Sequence, residues 1–269
     1  LVLLLVGCQP QPQTQPQKEE TKNTVSCHFI GDLLYEKPYY DWIEDDSQDK
    51  GYYDLVRPYL QNDDLSIANL ETPIGGKELN VSGTGYSFNA SREIGKQVAS
   101  LDLEVVSTAN NHANDRGNQG IDNTLDFLKE KDILAVGTYY NQDDRDQGKY
   151  MTIHGIKFGF VSYTYATNQI VSDENQAKVA LFNRPSDREM TQAYKDLLTK
   201  EVTQTRENCD VLIAMMHWGN EFTYDISTQQ EEVSQLLSDL GVDIIIGNHS
   251  HCSQPMEWIN NNRTLCMYS

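Results

Sequence analysis

Short apolar runs alternate with longer stretches of helical periodicity from Thr24 onward, and that alternation confines the chain to an α/β fold. Strands are expected over 25–30, 65–68, 104–108, 133–136, 211–215 and 242–246, the last bounded by Gly241 and Gly247. Helices are expected over 52–61, 91–101, 119–131, 187–208 and 228–240, with Ser91 as an N-cap. Residues 151–162 read as a hairpin turning near Gly155, and 256–268 as a second hairpin. The implied sheet is covered by helices on both faces. Residues 35–51 are acidic and irregular and read as a surface loop; 166–185 read similarly, as a lid over a site. The chain stops at Met267-Tyr268-Ser269, inside or just after a strand, as a truncated domain would.

The strands end in polar residues of one chemical kind. Asp32, Glu71, Asn111-His112, His217 and the pair His249/His251 each follow an apolar run, and they include four of the six histidines. In a parallel sheet the carboxyl ends converge on one edge. Carboxylates, an amide oxygen and imidazoles gathered there suit a two-metal centre, with ions roughly 3.5–4 Å apart. Each residue also has a plainer reading. Asp32 and Glu71 serve as caps or turn residues, Asn110-Asn111 as a turn, and Trp218 as packing. His28, inside a strand, and His154, at a hairpin, read as hydrogen-bonded structural residues. The joint placement favours a single site built from several strand ends.

Bulk properties narrow the partners. The 269 residues carry a net charge of −19, from 21 Lys+Arg against 40 Asp+Glu. That argues against nucleic-acid binding, which depends on phosphate neutralisation. A polyanionic substrate would be repelled by the overall field and would need a local metal or basic pocket. Residues 1–8 are too short to span a bilayer and look like the end of a signal-peptide apolar core. Leu5-Val6-Gly7-Cys8 resembles a bacterial lipobox, in which Cys8 is lipidated, and 9–24 read as a disordered polar tether. The expected domain is 25–269, held at the bacterial cell surface on the outer face of the cytoplasmic membrane. Cys27 and Cys209 read as buried thiols. Cys252 reads as a ligand or a spectator, and a Cys252–Cys266 disulfide stays open for an exported protein.

The ordered set Gly31-Asp32, Asn69-Leu70-Glu71, Asn110-Asn111-His112-x-x-Asp115-x-Gly117, His217-Trp218-Gly219-x-Glu221 and Gly247-x-His249-x-His251-x-x-Gln254 resembles the CapA family. These are poly-gamma-glutamate capsule biosynthesis proteins related to calcineurin-like metallophosphatases. The resemblance covers 25–269 and implies a four-layer α/β/β/α sandwich. It implies Asp32, Glu71, Asn111, His217, His249 and His251 as ligands of divalent ions, two in number and manganese, iron or zinc in kind. It implies His112 as the general acid, with Asp115 holding its imidazole. Glu221 and Trp218 would orient His217 or contact substrate, and Gln254 would stand behind the ligands. Arg116 is the nearest cation to the cluster and could meet an anionic substrate, with surface salt pairing as its other reading.

Two departures from the family pattern matter. Leu34 stands where metallophosphatases carry the histidine of an Asp-x-His motif, and Glu71 stands where the wider superfamily has Asp. Ser250 replaces a common Pro. With Leu34 present, His251 is left to serve a first metal position that is poorly filled or empty. The resemblance implies a metal-dependent hydrolase acting on a phosphoester or a gamma-glutamyl amide. Its alternative is a protein that binds, exports or anchors an anionic polymer without cleaving it. Membrane capsule-synthesis proteins are the implied partners.

Overall fold

The computed structural model describes residues 24–44, 51–183 and 190–269. In chain order the elements begin with β1 (Cys27–Asp32), α1 (Lys37–Glu44), α2 (Arg57–Leu60), β2 (Leu65–Asn69), β3 (Ser82–Thr84), β4 (Ser87–Asn89) and α3 (Arg92–Ala99). Then come β5 (Val105–Ser107), α4 (Gly117–Glu130), β6 (Leu134–Val136), α5 (Gln142–Asp146), β7 (Lys149–Ile153) and β8 (Ile156–Thr164). The last are α6 (Gln192–Arg206), β9 (Val211–His217), α7 (Thr228–Asp239), β10 (Ile244–Asn248), β11 (Met256–Ile259) and β12 (Thr264–Met267).

The strands form two main sheets. One has four parallel strands in the order β1-β2-β5-β6. The other has six in the order β11-β12-β10-β9-β8-β7, with the core strands β12, β10, β9 and β8 parallel. The alternation of side chains along each strand explains how they stack. Leu65, Ile67, Val105 and Val136 of the first sheet meet Phe158, Phe160, Ile213, Met215 and Ile246 of the second in one buried cluster. The opposite face of the first sheet, through Ala68 and Val106, packs on Ile94 and Val98 of α3 and on Phe127 and Leu128 of α4. The opposite face of the second, through Leu212, Ala214 and Met216, packs on Leu198 and Val202 of α6 and on Val233 and Leu237 of α7. The layers are therefore α/β/β/α. Each sheet has helices on one face only, which corrects the expectation of a single sheet covered on both.

Other corrections are local. Within 35–51, α1 replaces the expected surface loop, because Tyr40 and Ile43 recur on one buried face; residues 45–50 lie outside the described set. The helix expected over 52–61 shrinks to α2, with Pro58 in its first turn. Proline lacks the N–H and clashes with the carbonyl four residues back, so the helix cannot extend toward Tyr52. The segment 166–185 is not a surface loop throughout, since Val179, Ala180, Phe182 and Asn183 are buried and bridges link Thr138 with Val179 and Thr164 with Leu181. Ser91 does cap α3, accepting a bond from the Ile94 N–H. The four described cysteines are free thiols, Cys27 and Cys209 only partly buried, so Cys252 and Cys266 are not bonded to each other. Cys8 and residues 1–23 lie outside the described residues. Among the described residues no helix is long and apolar enough to cross a membrane.

Candidate metal centre

Parallel strands put their carboxyl ends on one edge, and here two stacked sheets do so together. Asp32 ends β1, and Glu71 follows β2. Asn111 and His112 follow β5, His217 ends β9, and His249 and His251 follow β10.

A bulge aims Asp32. The β1–β2 register slips between Ile30 and Asp32, so Gly31 is skipped and Asp32 faces Asn69. The Asn69 side-chain amide then donates to Asp32 Oδ1 at 2.7 Å. The second oxygen of Asp32 takes the His249 backbone N–H at 3.2 Å and lies 3.1 Å from His251 Nδ1. Burial pushes the Asp32 carboxyl up, but the His251 hydrogen bond, the His217 ring and the Asn69 amide outweigh it and hold it down to about 2.

His249 has φ 99° and His251 φ 52°, conformations that cost a residue with a side chain of order 1–3 kcal/mol each. The bonds to Asp32 hold both residues in this turn. Gly247 just before them is required by space, because a Cβ there would fall 1.9 Å from the Tyr268 carbonyl oxygen.

The His217 ring is tied at both nitrogens. Nε2 donates to Asn111 Oδ1 at 3.0 Å, and Nδ1 accepts from the Asn69 amide at 3.2 Å. Burial, then the neighbouring His249 ring, holds His217 well below the usual imidazole range. Burial likewise pushes His249 down to about 4. Both rings are therefore neutral near pH 7; His249 Nδ1 has no partner among the described residues, whereas His217 would have to give up one of its two bonds to offer a lone pair to a cation.

Glu71 is fully buried, and among the described residues neither of its oxygens has a hydrogen-bond partner; the same holds for His249 Nδ1 and Asn248 Oδ1. The nearest imidazole nitrogen, His217 Nε2, is 3.6 Å from Glu71 Oε1. Burial pushes the Glu71 carboxyl well above its ordinary value, with Asp32 adding to the effect. An unpaired carboxylate costs several kcal/mol to bury. Two triads share it, Glu71–His249–His251 and Asp32–Glu71–His217, with the ligand atoms of each triad within 4.8 Å of one another. Carboxylate oxygens without partners beside neutral imidazoles suit a divalent cation, and Glu71 is common to both triads.

His112 is buried beside this group. Its Nδ1 donates to Asp115 Oδ2 at 2.7 Å, and Asp115 is fixed by the Phe88 N–H at 2.6 Å. The His112 ring meets Phe88 edge-on at 4.6 Å.

The remaining expected residues sit differently. The Arg116 guanidinium is committed to the Leu79, Asn80 and Asp115 carbonyls and to Ser87 Oγ, so it closes the β3–β4 hairpin rather than facing the cluster. Trp218 is fully buried and donates to the Tyr268 carbonyl at 2.9 Å, which makes it packing rather than a substrate contact. Gln254 receives Gln230 and donates to the Thr223 and Asp225 carbonyls, bracing the loop after β9. Glu221 is exposed at the mouth, near enough to raise Glu71. His28 and His154 make hydrogen bonds to Asp63 and to the Thr24 carbonyl, as expected of structural residues. Sequence reasoning assigned no role to Asn69, which holds two candidate ligands at once. It also passed over Tyr165 and Asn168, which follow β8. Its hairpin stopped at residue 162, whereas β8 runs to Thr164 in the sheet that carries His217. The strand-end rule applied there would have found them.

Stacked sheets whose strand ends pool two carboxylates, three imidazoles and an amide define an α/β protein with a candidate metal centre at one edge. The chain belongs to the bacterial capsule synthesis protein family PGA_cap, whose family model matches residues 26–269. It is similar to the PGA biosynthesis protein CapA of Bacillus subtilis, at 24% identity over 96% of this chain and 65% of that protein. It is similar also to the capsule biosynthesis protein CapA of Bacillus anthracis, at 26% identity over 90% of this chain and 58% of that protein. The chain thus spans less than two thirds of the length of these relatives. A solved structure from Staphylococcus aureus, described as a 5'-nucleotidase in complex with alpha-ketoglutarate, matches with a TM-score of 0.43 and 16% identity, over 76% of this chain and 39% of that chain. At that level it says nothing of activity.

Proposed function

We propose that this chain is a metal-dependent hydrolase of bacterial capsule synthesis, acting on a phosphoester or on a gamma-glutamyl amide. The observation that supports it is the His112–Asp115 pair, buried beside two ligand triads that share Glu71. Asp32, Glu71, Asn111, His217, His249 and His251 would hold the divalent ions. When bound, such ions supply Lewis-acid polarisation of the scissile bond and acidify water. The rest falls to side chains. Asp115 accepts from His112 Nδ1–H, which leaves Nε2 to carry a second proton; the imidazolium gives that proton to the leaving oxygen or nitrogen as the bond breaks, and the proton lost by the attacking water restores it. Asn69 keeps Asp32 and His217 aimed at the same point. The names of the relatives favour an anionic polymer as the setting. The chain's net charge of −19 would repel such a polymer everywhere except near bound cations. In this reading a lipid on Cys8 and the tether 9–24 hold the domain outside the cytoplasmic membrane, beside membrane proteins of capsule synthesis.

The test uses manganese-loaded protein with p-nitrophenyl phosphate and with gamma-glutamyl polymer. One of the two is expected to be cleaved, and His112→Ala should slow cleavage by about 10²–10⁴-fold while metal content and polymer binding hold. Cleavage of neither substrate by metal-replete protein would sink the hydrolase reading. Polymer binding indifferent to His112 would then favour a binding or anchoring role.

A further inference from the structure

The chain leaving β8 brings two side chains onto the site from outside the motif set. The Tyr165 ring lies 4.9 Å from that of His249, tilted by 43°, and 6.5 Å from that of His217, nearly parallel at 8°. Its backbone N–H donates to the His217 carbonyl at 3.1 Å, which ties this strand end to the ligand beside it. Three residues on, the Asn168 N–H donates to the Asn111 carbonyl at 2.7 Å, and its amide lies 3.4 Å from His112 Nδ1. One short segment thus touches the imidazoles at one end and the His112 loop at the other.

The Tyr165 side chain is half-buried, and its hydroxyl makes no bond to the described residues. A tyrosine hydroxyl ordinarily keeps its proton at neutral pH, and it can donate a hydrogen bond. Carboxylates cannot donate a hydrogen bond to an oxyanion. The Arg116 guanidinium is engaged elsewhere. Beside the His217 and His249 rings the Tyr165 phenol is a neutral donor from outside the ligand set.

We propose that Tyr165 is a substrate-contacting residue whose hydroxyl donates a hydrogen bond to an oxyanion of the group held at the metal centre. This rests on the metal-dependent reading given above. It assigns the site a tetrahedral, oxyanion-bearing ligand, gripped from the β8 side by a phenol rather than by a cationic side chain.

The test is calorimetric binding of inorganic phosphate, whose shape and charge match an attacked phosphoester and the tetrahedral adduct of an amide alike. Wild type and Tyr165→Phe are titrated first with manganese and then, manganese-loaded, with phosphate. Phenylalanine keeps the ring packing against His217 and His249. Manganese stoichiometry and affinity should therefore match wild type, while phosphate binds at least about tenfold more weakly, as loss of a hydrogen bond to a charged group implies. Equal phosphate affinity in the two proteins overturns the proposal and leaves the metal reading standing. A parallel loss of manganese also overturns it, since Tyr165 would then act through the ligands. If manganese-loaded wild type binds no phosphate, the metal-dependent reading falls and takes this proposal with it.

Discussion

Glu71 and Glu201 are both carboxylates sheltered from bulk water, and the molecule surrounds them in opposite ways. Glu201, on α6, receives two bonds from the Arg145 guanidinium, at 2.6 and 3.1 Å, and one from the Tyr163 hydroxyl at 2.9 Å. Arg145 is itself buried and donates further to the Gln176 and Val179 carbonyls. Among the described residues Glu71 has no hydrogen bond at either oxygen, and it faces imidazoles held neutral by burial. A carboxylate with its own guanidinium is a strut between α5, α6 and the segment before Leu181. A carboxylate without one, among free lone pairs, is a place for a cation supplied from outside.

The largest effect should come from breaking the strut. Arg145→Leu leaves Glu201 without its cation, and removing one partner of a buried pair costs about 3–5 kcal/mol. In a chain of this size that lowers Tm by roughly 10 °C. Calorimetry should show this loss, with metal content unchanged below the transition. A variant that melts with wild type would mean that Glu201 is solvated and that the contrast with Glu71 is false.

Glu71→Gln should do the reverse. It replaces a costly buried charge by an amide of the same shape, so metal-free protein should melt no lower than wild type. Divalent-ion affinity, read by titration, should fall by at least about 100-fold, beyond what outer-shell changes produce. Destabilisation on the scale of Arg145→Leu would reveal an internal partner for Glu71.

The pH dependence follows from the same residue. An unfolded glutamate titrates near about 4.3. The folded carboxyl titrates higher because burial disfavours its charge. Between those two values the folded state holds the extra proton, so the Glu71 contribution to metal-free stability falls as pH rises through that window, while His217 and His249, held neutral by burial, contribute in the opposite sense. The sign for Glu71 is read from the difference between chelator-treated wild type and Glu71→Gln melted from about pH 4 to 8. The stability of wild type relative to Glu71→Gln should fall as pH rises, and added manganese should remove that fall.

Much of this was legible in the sequence, for reasons that differ by residue. The runs ending at Asp32, Glu71, Asn111, His217 and His249 were visible because a parallel strand is apolar throughout and its end is not. The hairpin of β7 and β8 was visible because Gly155 follows a short strand and takes φ 83°. The stacking of two sheets came through the family resemblance, which implied the α/β/β/α sandwich, and not from the strand patterns, since inner and outer faces of a doubly buried strand look alike until Leu65 and Ser66 are seen to point apart. The β3–β4 hairpin escaped because three-residue strands carry too little periodicity. Arg116 misled because a charge near a motif in sequence says nothing of where its guanidinium bonds, and four local acceptors had claimed it. Asn69 stood in plain view inside a motif, but its two bonds, to Asp32 and His217, exist only once β1 and β9 are brought together.

Trp218 gives the smallest and most discriminating effect. It directly follows a candidate ligand, so its position in sequence suggests substrate contact. Yet it is fully buried, stacked 6.2 Å from Tyr268 and bonded through Nε1 to the Tyr268 carbonyl. That carbonyl is also reached by Gln230 at 3.4 Å, so it is not left bare when the indole goes. Trp218→Phe should therefore cost about 1 kcal/mol from the lost bond, with some further packing loss. That corresponds to a Tm lower by about 2–4 °C. Manganese and phosphate affinities should stay at wild-type values, because the ring packs in the buried cluster with Val233, Leu237 and Tyr268. A phosphate affinity that drops with no change in manganese would put the indole on the substrate, and the division between braced and ligand-ready residues would have to be redrawn around it.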